Sequence, residues 1–486
     1  MIEALRARLS EYDWEMVAHN EHRSIYQLRQ AGLPALYVKH HHPGTPLARL
    51  RSGIRPASEH ASRMIEALSQ AGILVPEVVL HLHEGFQSAL VTRAVEPGTP
   101  LASLPRDRQS KVLLSVAGAL LKAGFVHQEL TARDILIDHA GNPVLVDVAS
   151  AASAPGLTRL NVIGTLARVI SPYEVDDEQL KEALPDKYRH DPHLLLAIRM
   201  RALKFNRARA RRLVRRSLRP GSFSETLKTP EYTGILRRGL AIDLDRVIMA
   251  HRKNIQEQKN VLKCQDKTQV SGVGEWCVKS YQRSRPFATP YAIRAWKGIL
   301  TLYFNGLPVP EPVAYVVFRD KSSILITRML DMPTLDKTLF HDYNNFPPDL
   351  RHGIPEQLGE LIGRMHTLGI YHADLKACNI LTDKDRLTFY LTDTDKVRQY
   401  RYLAEQRRIR NLMQIHLSIP KHVSRAFRMR FLKGYTKETR EDAKVLFSKV
   451  WGLSRGMEIV YTTKMGDKFE RWDQERPESQ ADQEET

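Results

Sequence analysis

The chain has 486 residues, of which 42% are apolar and 26% are charged, and this composition excludes a collagen-like, coiled-coil or wholly disordered protein. At about 150 residues per domain, the length predicts two or three domains. Lys and Arg number 73 against 55 Asp and Glu, a formal net charge of +18, and an excess of this size favours an anionic partner.

No segment approaches the roughly 18 uninterrupted apolar residues of a membrane-spanning helix. The first residues of the chain carry charges where a secretory signal would be apolar. The three cysteines, Cys264, Cys277 and Cys378, have no metal-type spacing and no even number for a disulfide framework. We therefore predict a reduced, cytoplasmic protein with no transmembrane segment.

The charges are unevenly distributed along the chain. Residues 1–198 hold 20 cations and 22 anions, whereas residues 199–219 hold ten cations and no acid. A second basic block, residues 396–433, has eleven cations and one acid. The pattern predicts one domain over 1–198, a basic connector helix over 199–219, a second domain over 220–469 and an acidic disordered tail over 470–486.

One set of features occurs twice in the same order. The first set is an apolar strand ending at Lys39, a helix, the strand SALVTR, a longer helical region, and two short strands that lead to Asp147. The second set begins with a strand ending at Lys279, continues through the strand SILITR, and leads to Asp393. This repeat predicts a duplicated α+β unit, each copy with a small sheet ahead of a helical part.

The second copy has polar residues where phosphoryl transfer needs them. One loop carries Asp374, Lys376 and Asn379, and Asp393 follows Asn379 by fourteen residues, between apolar strands. Phosphoryl transfer requires a carboxylate near the acceptor hydroxyl, oxygen ligands for magnesium and a lysine on the nucleotide phosphates. The H-x-D-x-x-x-x-N loop, the later aspartate and the strand residue Lys279 have the spacing of the protein-kinase fold.

On these residues the chain resembles the lipopolysaccharide core kinases, the bacterial Kdo and heptose kinase family, which are also similar to Rio-type kinases. The resemblance covers about residues 220–465 and, more faintly, residues 15–190. It implies an α+β protein of two tandem bilobal kinase-like domains, with ATP and Mg²⁺ as cofactors. It also implies phosphorylation of a heptose or Kdo hydroxyl of the inner core, on the cytoplasmic side of the inner membrane.

The resemblance assigns a role to each site residue. Asp374 corresponds to the catalytic base, Asn379 and Asp393 to the metal ligands, and Lys279 to the lysine that contacts the phosphates. Lys376 is expected to reach the γ-phosphate. The hinge that contacts adenine is expected at Thr327, Arg328 and Met329.

Two features depart from the kinase pattern. Residues 280–306 contain no acid, so the helix glutamate that usually pairs with the strand lysine is missing. Glu275 or Asp266 would have to replace it. Residues 261–270, which should cover the phosphates, contain no glycine.

The first copy is degenerate. It keeps Lys39 and Asp147, with Glu59 or Glu66 on the following helix, but it has Glu129 at the base position and Asp134 at the asparagine position. The longer side chain of Glu129 would displace the carboxylate by about an ångström, which can cost on the order of a hundredfold in rate. We predict a reduced kinase-like domain that is inactive or feeble.

The basic blocks favour an acidic glycolipid or core saccharide as the acceptor, with peripheral contact at the inner membrane as a further expectation. Nucleic acid is disfavoured, because Phe205 is the sole aromatic residue in the first block. In the second block, Arg425, Arg428 and Arg430 are expected to present planar guanidinium groups to the anionic acceptor.

Simpler interpretations accompany several residues. His372 is expected to be a buried structural histidine, Cys378 a packing residue, and residues 40–42 a solvated turn and not a metal site. A protein kinase, or a regulatory pseudokinase partner with the same fold, is the alternative function, because a fold does not choose its acceptor. The lack of an Ala-Pro-Glu segment after Asp395 favours a non-protein acceptor.

Overall fold

The structure is a computed structural model that describes residues 1–45, 49, 56–173, 175–265, 267–463 and 466–471. The chain divides into two compact units, Met1–Asn206 and Arg207–Thr486. From residue 472 onward, the tail predicted to be acidic and disordered lies outside the described residues. No helix in the described ranges is both long enough and apolar enough to cross a membrane.

The described helices of the first unit are α1 (Ile2–Arg8), α2 (Ala57–Gln70), α3 (Arg106–Lys122), α4 (Arg159–Ile170), α5 (Asp177–Glu182) and the beginning of α6 (Pro192–Arg216). Its strands are β1 (Asp13–Asn20), β2 (Arg23–Arg29), β3 (Leu36–His41), β4 (Val78–Glu84), β5 (Gln87–Arg93), β6 (Thr99–Pro100), β7 (Phe125–His127), β8 (Ile135–Ile137), β9 (Pro143–Leu145) and β10 (Ala151–Ser153).

The second unit continues with helices α7 (Leu244–Glu257), α8 (Tyr291–Phe304), α9 (Leu335–Asp342), α10 (Pro348–Thr367), α11 (Glu405–His416), α12 (Arg425–Thr439) and α13 (Ala443–Ser454). Its strands are β11 (Ser224–Lys228), β12 (Tyr232–Arg237), β13 (Val261–Gln265), β14 (Thr268–Val273), β15 (Trp276–Tyr281), β16 (Pro312–Phe318), β17 (Ser323–Arg328), β18 (Ile370–His372), β19 (Ile380–Asp383), β20 (Thr388–Leu391), β21 (Val397–Gln399), β22 (Glu458–Thr463) and β23 (Gly466–Arg471).

The first unit has a five-stranded antiparallel sheet in the order β1-β2-β3-β5-β4, with α2 packed on β4 and β5. Behind it, helices α3 to α5 and the beginning of α6 bury an apolar core with the short pairs β7/β10 and β8/β9. The unit therefore has a sheet part followed by a helical part, as the repeat predicts.

The second unit repeats this strand order within a larger sheet. Its seven strands run β11-β12-β16-β17-β15-β14-β13, so β13 to β17 follow the same order as β1 to β5. The short pairs β18/β21 and β19/β20 likewise match β7/β10 and β8/β9. The mixed composition of helices and sheets confirms the coarse fold class, while the tandem kinase-like arrangement stays a prediction.

The central strands of the second sheet are covered on both faces. Strands β16 and β17 read PVAYVVF and SILITR, apolar runs without strict alternation, and nearly all of their residues are buried. Such runs are typical of strands that lack a solvated face. Helix α7 packs on the face that carries Val278 and Ile326, and α8 packs on the opposite face, where Trp296 contacts Tyr315.

Helices α10 and α12 form the centre of the helical part. They approach so closely that a Cβ atom on Gly359 would lie 2.0 Å from the carbonyl oxygen of Phe431, and one on Gly434 would lie 2.2 Å from that of Glu356. Glycine at these two positions allows the two backbones to touch.

The helix containing the first basic block is longer than predicted. Helix α6 begins at Pro192, and its residues Leu194, Ile198 and Ala202 are buried in the core of the first unit. The boundary between the units, after Asn206, falls inside this helix. The predicted connector 199–219 therefore begins within a packed helix, because apolar residues spaced three or four apart continue into the basic segment.

Candidate functional site

The site of the second unit centres on an ion pair between Lys279 and Asp393. Lys279 lies on β15, and its Nζ is 2.6 Å from Oδ1 of Asp393, which follows β20. Burial alone would lower the pKa of Lys279, but the nearby Tyr281 and Asp393 outweigh it and raise this pKa above its usual value. Burial alone would raise the pKa of Asp393, but the pairing with Lys279 lowers it. Both groups are therefore charged at neutral pH.

A buried histidine holds the loop that carries Asp374. His372 is fully buried, and its Nε2 donates to the carbonyl of Thr392 at 2.8 Å. Its Nδ1 accepts the N–H of Asp374 at 3.4 Å. Burial lowers the pKa of His372, so the ring is neutral, and its prediction as a structural histidine is confirmed.

The side chains of Lys376 and Asn379 both contact Asp374. The Nδ2 group of Asn379 donates to the carbonyl of Asp374 at 2.9 Å, which leaves its Oδ1 as an acceptor. The carboxylate of Asp374 is partly exposed, and Nζ of Lys376 lies 3.4 Å from its Oδ1. The structure therefore brings together a carboxylate and a lysine on the loop, next to an asparagine with an available oxygen.

Three polar side chains on α11 and just after it support this loop, and the sequence interpretation missed them. Asn411 donates to the carbonyl of His372 at 2.6 Å, and Gln414 donates to that of Ala373 at 2.8 Å. The hydroxyl of Ser418 accepts the N–H of Ala377 at 2.8 Å. Their spacing of three and four residues puts them on one helical face, and this spacing could have identified them in the sequence. The many cations in the same segment hide the pattern.

Helix α8 touches the segment after Asp393 directly. A Cβ atom on Gly298 would lie 1.9 Å from the carbonyl oxygen of Thr394, whose hydroxyl donates to the carbonyl of Ala295 at 2.9 Å. Arg294 on the same helix lies 3.9 Å from Asp395. The helix thus fixes the segment after Asp393 through its backbone and a cation.

The ion pair with Asp393 explains how Lys279 is held without a helix glutamate. Lys279 pairs with Asp393, whereas Glu275 pairs with Arg328, so the expectation that Glu275 replaces the helix acid is wrong. The physical reason is that Glu275 lies in the turn before β15, beside the end of β17. The other expected substitute, Asp266, lies outside the described residues.

The residues of the predicted hinge make hydrogen bonds and packing contacts within the protein. Thr327 is buried opposite Cys277 in the sheet. The N–H of Arg328 donates to the carbonyl of Glu311 at 2.9 Å, and that of Met329 to the carbonyl of Glu275 at 2.8 Å. Both N–H groups therefore already have backbone partners, and adenine recognition at this hinge stays a prediction.

The side chain of Arg328 also has a structural role. It forms ion pairs with Glu275 and Glu311, and its guanidinium lies 4.9 Å from the centre of the Trp276 ring. These contacts fasten the end of β17 to its neighbours. A direct contact between this side chain and a nucleotide is not supported.

Two oxygen ligands suitable for a magnesium ion lie in the site, Oδ1 of Asn379 and the carboxylate of Asp393. Magnesium prefers oxygen ligands and usually takes one or two from the protein, with water and phosphate completing the shell. In the described part of the chain, no cluster of three or more His, Cys, Asp or Glu side chains could hold a metal. The residues present therefore fit a magnesium–nucleotide complex and not a metal held by the protein alone.

The first unit has the corresponding residues in a different arrangement. Nζ of Lys39 donates to the carbonyl of Val146 at 2.6 Å, and Asp147 is 3.5 Å from Arg23. Burial raises the pKa of Asp134, whose carboxylate accepts both the N–H and the hydroxyl of Thr131 at 2.7 and 2.8 Å. Both bonds end on Oδ2 of Asp134, so this oxygen is used within the loop itself.

The remaining predicted residues of the first unit do not complete a site. Glu129 is exposed to solvent. Glu59 pairs with Arg63, and Glu66 accepts from Gln70, so both acids interact along their own helix and neither pairs with the strand lysine. The histidine run is not a solvated turn, because its first two residues belong to β3 and His40 is buried.

The second basic block is only partly available to a ligand. Arg428 is buried on the inner face of α12, and its guanidinium donates to the carbonyls of Ile419 and Pro420 at 3.2 and 3.1 Å. The expectation that Arg428 contacts the acceptor is therefore wrong. Arg425 is exposed, 4.9 Å from the centre of the Trp451 ring, and Arg430 is half-buried.

Burial also acts on the thiol of Cys378, which was predicted to be a packing residue. Cys378 lies within the catalytic loop, and burial raises its pKa to about 11. A thiol with a raised pKa carries little thiolate at neutral pH and is a poor nucleophile.

Comparison with known proteins points to one family. Residues 250–435 match the model of the lipopolysaccharide kinase (Kdo/WaaP) family, and this range includes Lys279, Asp374, Asn379 and Asp393. A 3-deoxy-D-manno-octulosonic acid kinase of Pasteurella multocida (strain Pm70) is 28% identical over 153 residues, 30% of this chain and 61% of that protein. The chain thus spans less than two thirds of this curated relative. The predicted resemblance to the lipopolysaccharide kinases is confirmed for the second unit.

Solved structures show weaker overlaps. The aminoglycoside-3′-phosphotransferase of type VIII is 20% identical, with 42% of this chain and 96% of that chain covered and a TM-score of 0.30. WbdD, a bifunctional kinase-methyltransferase, is 21% identical, with 40% and 46% covered and a TM-score of 0.28. The PknI kinase domain of Mycobacterium tuberculosis is 15% identical, with 40% and 96% covered and a TM-score of 0.26. At these TM-scores the overlaps carry no argument.

Proposed function

We propose that the second unit is an ATP-dependent kinase that phosphorylates a heptose or Kdo hydroxyl of the lipopolysaccharide inner core. The observation that carries this proposal is the Lys279–Asp393 ion pair beside the loop of Asp374 and Asn379. This arrangement combines the charges that phosphoryl transfer needs, in the part of the chain that matches the lipopolysaccharide kinases. The reaction is assigned to the cytoplasmic side of the inner membrane.

Each residue has a distinct task in this proposal. The carboxylate of Asp374 accepts the proton of the sugar hydroxyl as its oxygen attacks the γ-phosphorus, and the bond to the leaving ADP oxygen breaks. Lys376, next to that carboxylate, is assigned to the transferring phosphoryl group, and Lys279 to the α- and β-phosphates. A bound magnesium ion, held by Asn379 and Asp393, would neutralise charge on the phosphates.

The first unit is proposed to be a kinase-like relative that does not transfer phosphate. Two contacts support this proposal, because each engages a candidate site residue within the protein. Lys39 donates to a backbone carbonyl, and the carboxylate of Asp134 accepts the N–H of Thr131. The base position holds Glu129, which is exposed and has the longer side chain.

The Asp374→Asn variant tests this function. We expect turnover to fall roughly 10² to 10⁴-fold, because the amide cannot accept the proton, while ATP affinity changes little. The measurement is transfer of labelled phosphate from ATP to dephosphorylated core saccharide, with a protein extract as the competing acceptor. Circular dichroism checks that the variant is folded.

The matched control is Glu129→Gln in the first unit, which should leave turnover unchanged. Loss of turnover in Glu129→Gln but not in Asp374→Asn would reverse the assignment of the two units. Label that enters protein and not saccharide would favour a protein kinase. ATP binding without transfer to either acceptor would favour a regulatory pseudokinase.

A further inference from the structure

The strand pair β13/β14 adjoins the strand of Lys279 and has no glycine between Val261 and Val270. In glycine-rich phosphate loops, backbone N–H groups approach the phosphates closely because no Cβ atom intervenes. Between Val261 and Val270 every residue has a Cβ atom, which hinders such a close approach of the backbone to a phosphate group. A phosphate beneath this strand pair would therefore have to be bound by side chains.

The register of the sheet puts a second lysine on the face of Lys279. Lys263 on β13 is paired with Val270 on β14, and Val270 is paired with Lys279 on β15. Residues directly opposite each other in antiparallel strands have their side chains on the same face. Since neighbouring strands lie about 4.8 Å apart, Lys263 and Lys279 start roughly 10 Å from each other on this face.

Lys263 therefore lies on the face of the sheet from which Lys279 reaches Asp393. Lys263 itself is exposed. Within the described ranges, no carboxylate lies at ion-pair distance from Nζ of Lys263. The sheet therefore directs a lysine without an ion-pair partner towards the segment that carries Asp393.

The first unit provides a natural comparison. There Ala18 on β1 is paired with Ile25 on β2, and Ile25 is paired with Lys39 on β3. Ala18 therefore has the register position that Lys263 has in the second unit. The unit with the incomplete site lacks the second lysine.

We propose that Lys263 binds the β- and γ-phosphates of the nucleotide from above and replaces the backbone donors of a glycine-rich loop. This inference deepens the proposed function and rests on it. With Lys279 below the α- and β-phosphates, the nucleotide would lie between two lysines, and the γ-phosphate would be held towards Asp374.

The test is equilibrium binding of ATP and of adenosine to the full chain, measured by calorimetry with and without magnesium. We expect Lys263→Met to weaken ATP binding about tenfold, because a charged hydrogen bond to phosphate is lost. Adenosine, which has no phosphate, should bind as it does to the wild type. Lys263→Arg, which keeps the charge, should recover most of the ATP affinity.

The matched control is Lys259→Met, since Lys259 is an exposed lysine on the same segment that lies 3.6 Å from Glu257. It should leave both affinities unchanged. Equal losses for ATP and adenosine in Lys263→Met would mean a structural defect and overturn the inference, as would unchanged ATP affinity. A wild-type protein that binds no ATP would instead overturn the proposed function itself.

Discussion

At the scale of single residues, the second unit holds its strand lysine differently from the usual kinase arrangement. Lys279 pairs with Asp393, the proposed metal ligand, and residues 280–306 offer no acid in its place. The ion pair is mostly buried, and breaking it would leave one charge buried without its partner, which is costly. The pair therefore fixes the positions of both side chains, which are the proposed phosphate lysine and metal ligand, before any ligand arrives.

A second buried group links the helical part to the catalytic loop. His366 on α10 contacts the amide oxygen of Asn411 through Nε2 at 3.1 Å and the hydroxyl of Tyr435 through Nδ1 at 3.0 Å. Because Nδ2 of Asn411 donates to the carbonyl of His372, its oxygen must accept from His366. Nε2 of His366 therefore carries a proton, and because burial lowers the pKa of the ring, His366 is neutral at pH 7.

This neutral histidine predicts acid sensitivity of the fold. Burial lowers the pKa of His366 from 6.5 to about 4. Between these pH values the unfolded chain binds more protons, so the free energy of unfolding falls as the pH drops from about 6.5 to 4. We expect His366 to account for about 3 kcal/mol of that loss.

Urea unfolding of wild type and His366→Gln at several pH values measures this contribution. The variant should be less stable at pH 7, and the difference should shrink as the pH approaches 4. His352→Gln, at an exposed site of the same helix, should keep the wild-type pH dependence. A difference between wild type and His366→Gln that is the same at pH 4.5 and pH 7 would contradict the assignment.

At the scale of elements, helix α8 is fixed against the segment that carries Asp393. The backbone contact at Gly298, the hydrogen bond from Thr394 to Ala295 and the cation of Arg294 near Asp395 all join the same two segments. A helix held in this way has little freedom to move away from the site. Activation by movement of this helix is therefore not expected.

Gly298→Ala tests this contact. The added Cβ atom would lie 1.9 Å from the carbonyl oxygen of Thr394, so helix and segment must separate. We expect a loss of more than about 2 kcal/mol in the free energy of unfolding. ATP binding should also weaken, because Asp393 adjoins the displaced segment.

Gly452→Ala provides the matched control, since a Cβ atom there would meet nothing within 4 Å and the residue also lies in a helix. It should be neutral or stabilise the protein by up to about 1 kcal/mol, the helix preference of alanine over glycine. Equal stability of both variants would show that the approach of α8 is looser than described.

At the scale of the whole molecule, the two units share one strand order but differ in charge and in the state of their sites. The first 198 residues are nearly neutral, and the excess of cations lies in the later part of the chain. Clustered like charges destabilise a compact state through mutual repulsion. The presence of so many cations in this part of the chain therefore favours a role in binding an anion. The structure restricts this role to the arginines that reach the surface.

The exposed part of the second basic block is expected to attract the anionic acceptor. Reversing both charges in Arg425→Glu/Arg430→Glu should raise the acceptor KM several-fold and weaken its dependence on salt, with ATP affinity nearly unchanged. Steady-state kinetics at low and high ionic strength measures this. Lys444→Glu, an exposed charge reversal outside the block, should have little effect, and an unaltered acceptor KM in the double variant at low salt would reject the steering role.

The parts of the candidate site that lie close together along the chain could be predicted from the sequence. The loop from His372 to Asn379 and the strand that leads to Asp393 could be recognised because short strands and polar turns fix their spacing. The repeated strand order was also visible, since apolar strands and their lysines recur in the same order. These features depend on local pattern, which a sequence displays directly.

The partner of each charged residue, by contrast, follows only from the packing of distant elements. Arg428 was expected to face the acceptor, yet it lies on the buried face of α12, and Glu275 was a candidate partner for Lys279 but pairs with Arg328. Asn411 and Gln414 support a loop about forty residues away in sequence. Charge and spacing cannot show such pairings, because they depend on how distant elements pack, and the energy of an ion pair depends on burial and distance.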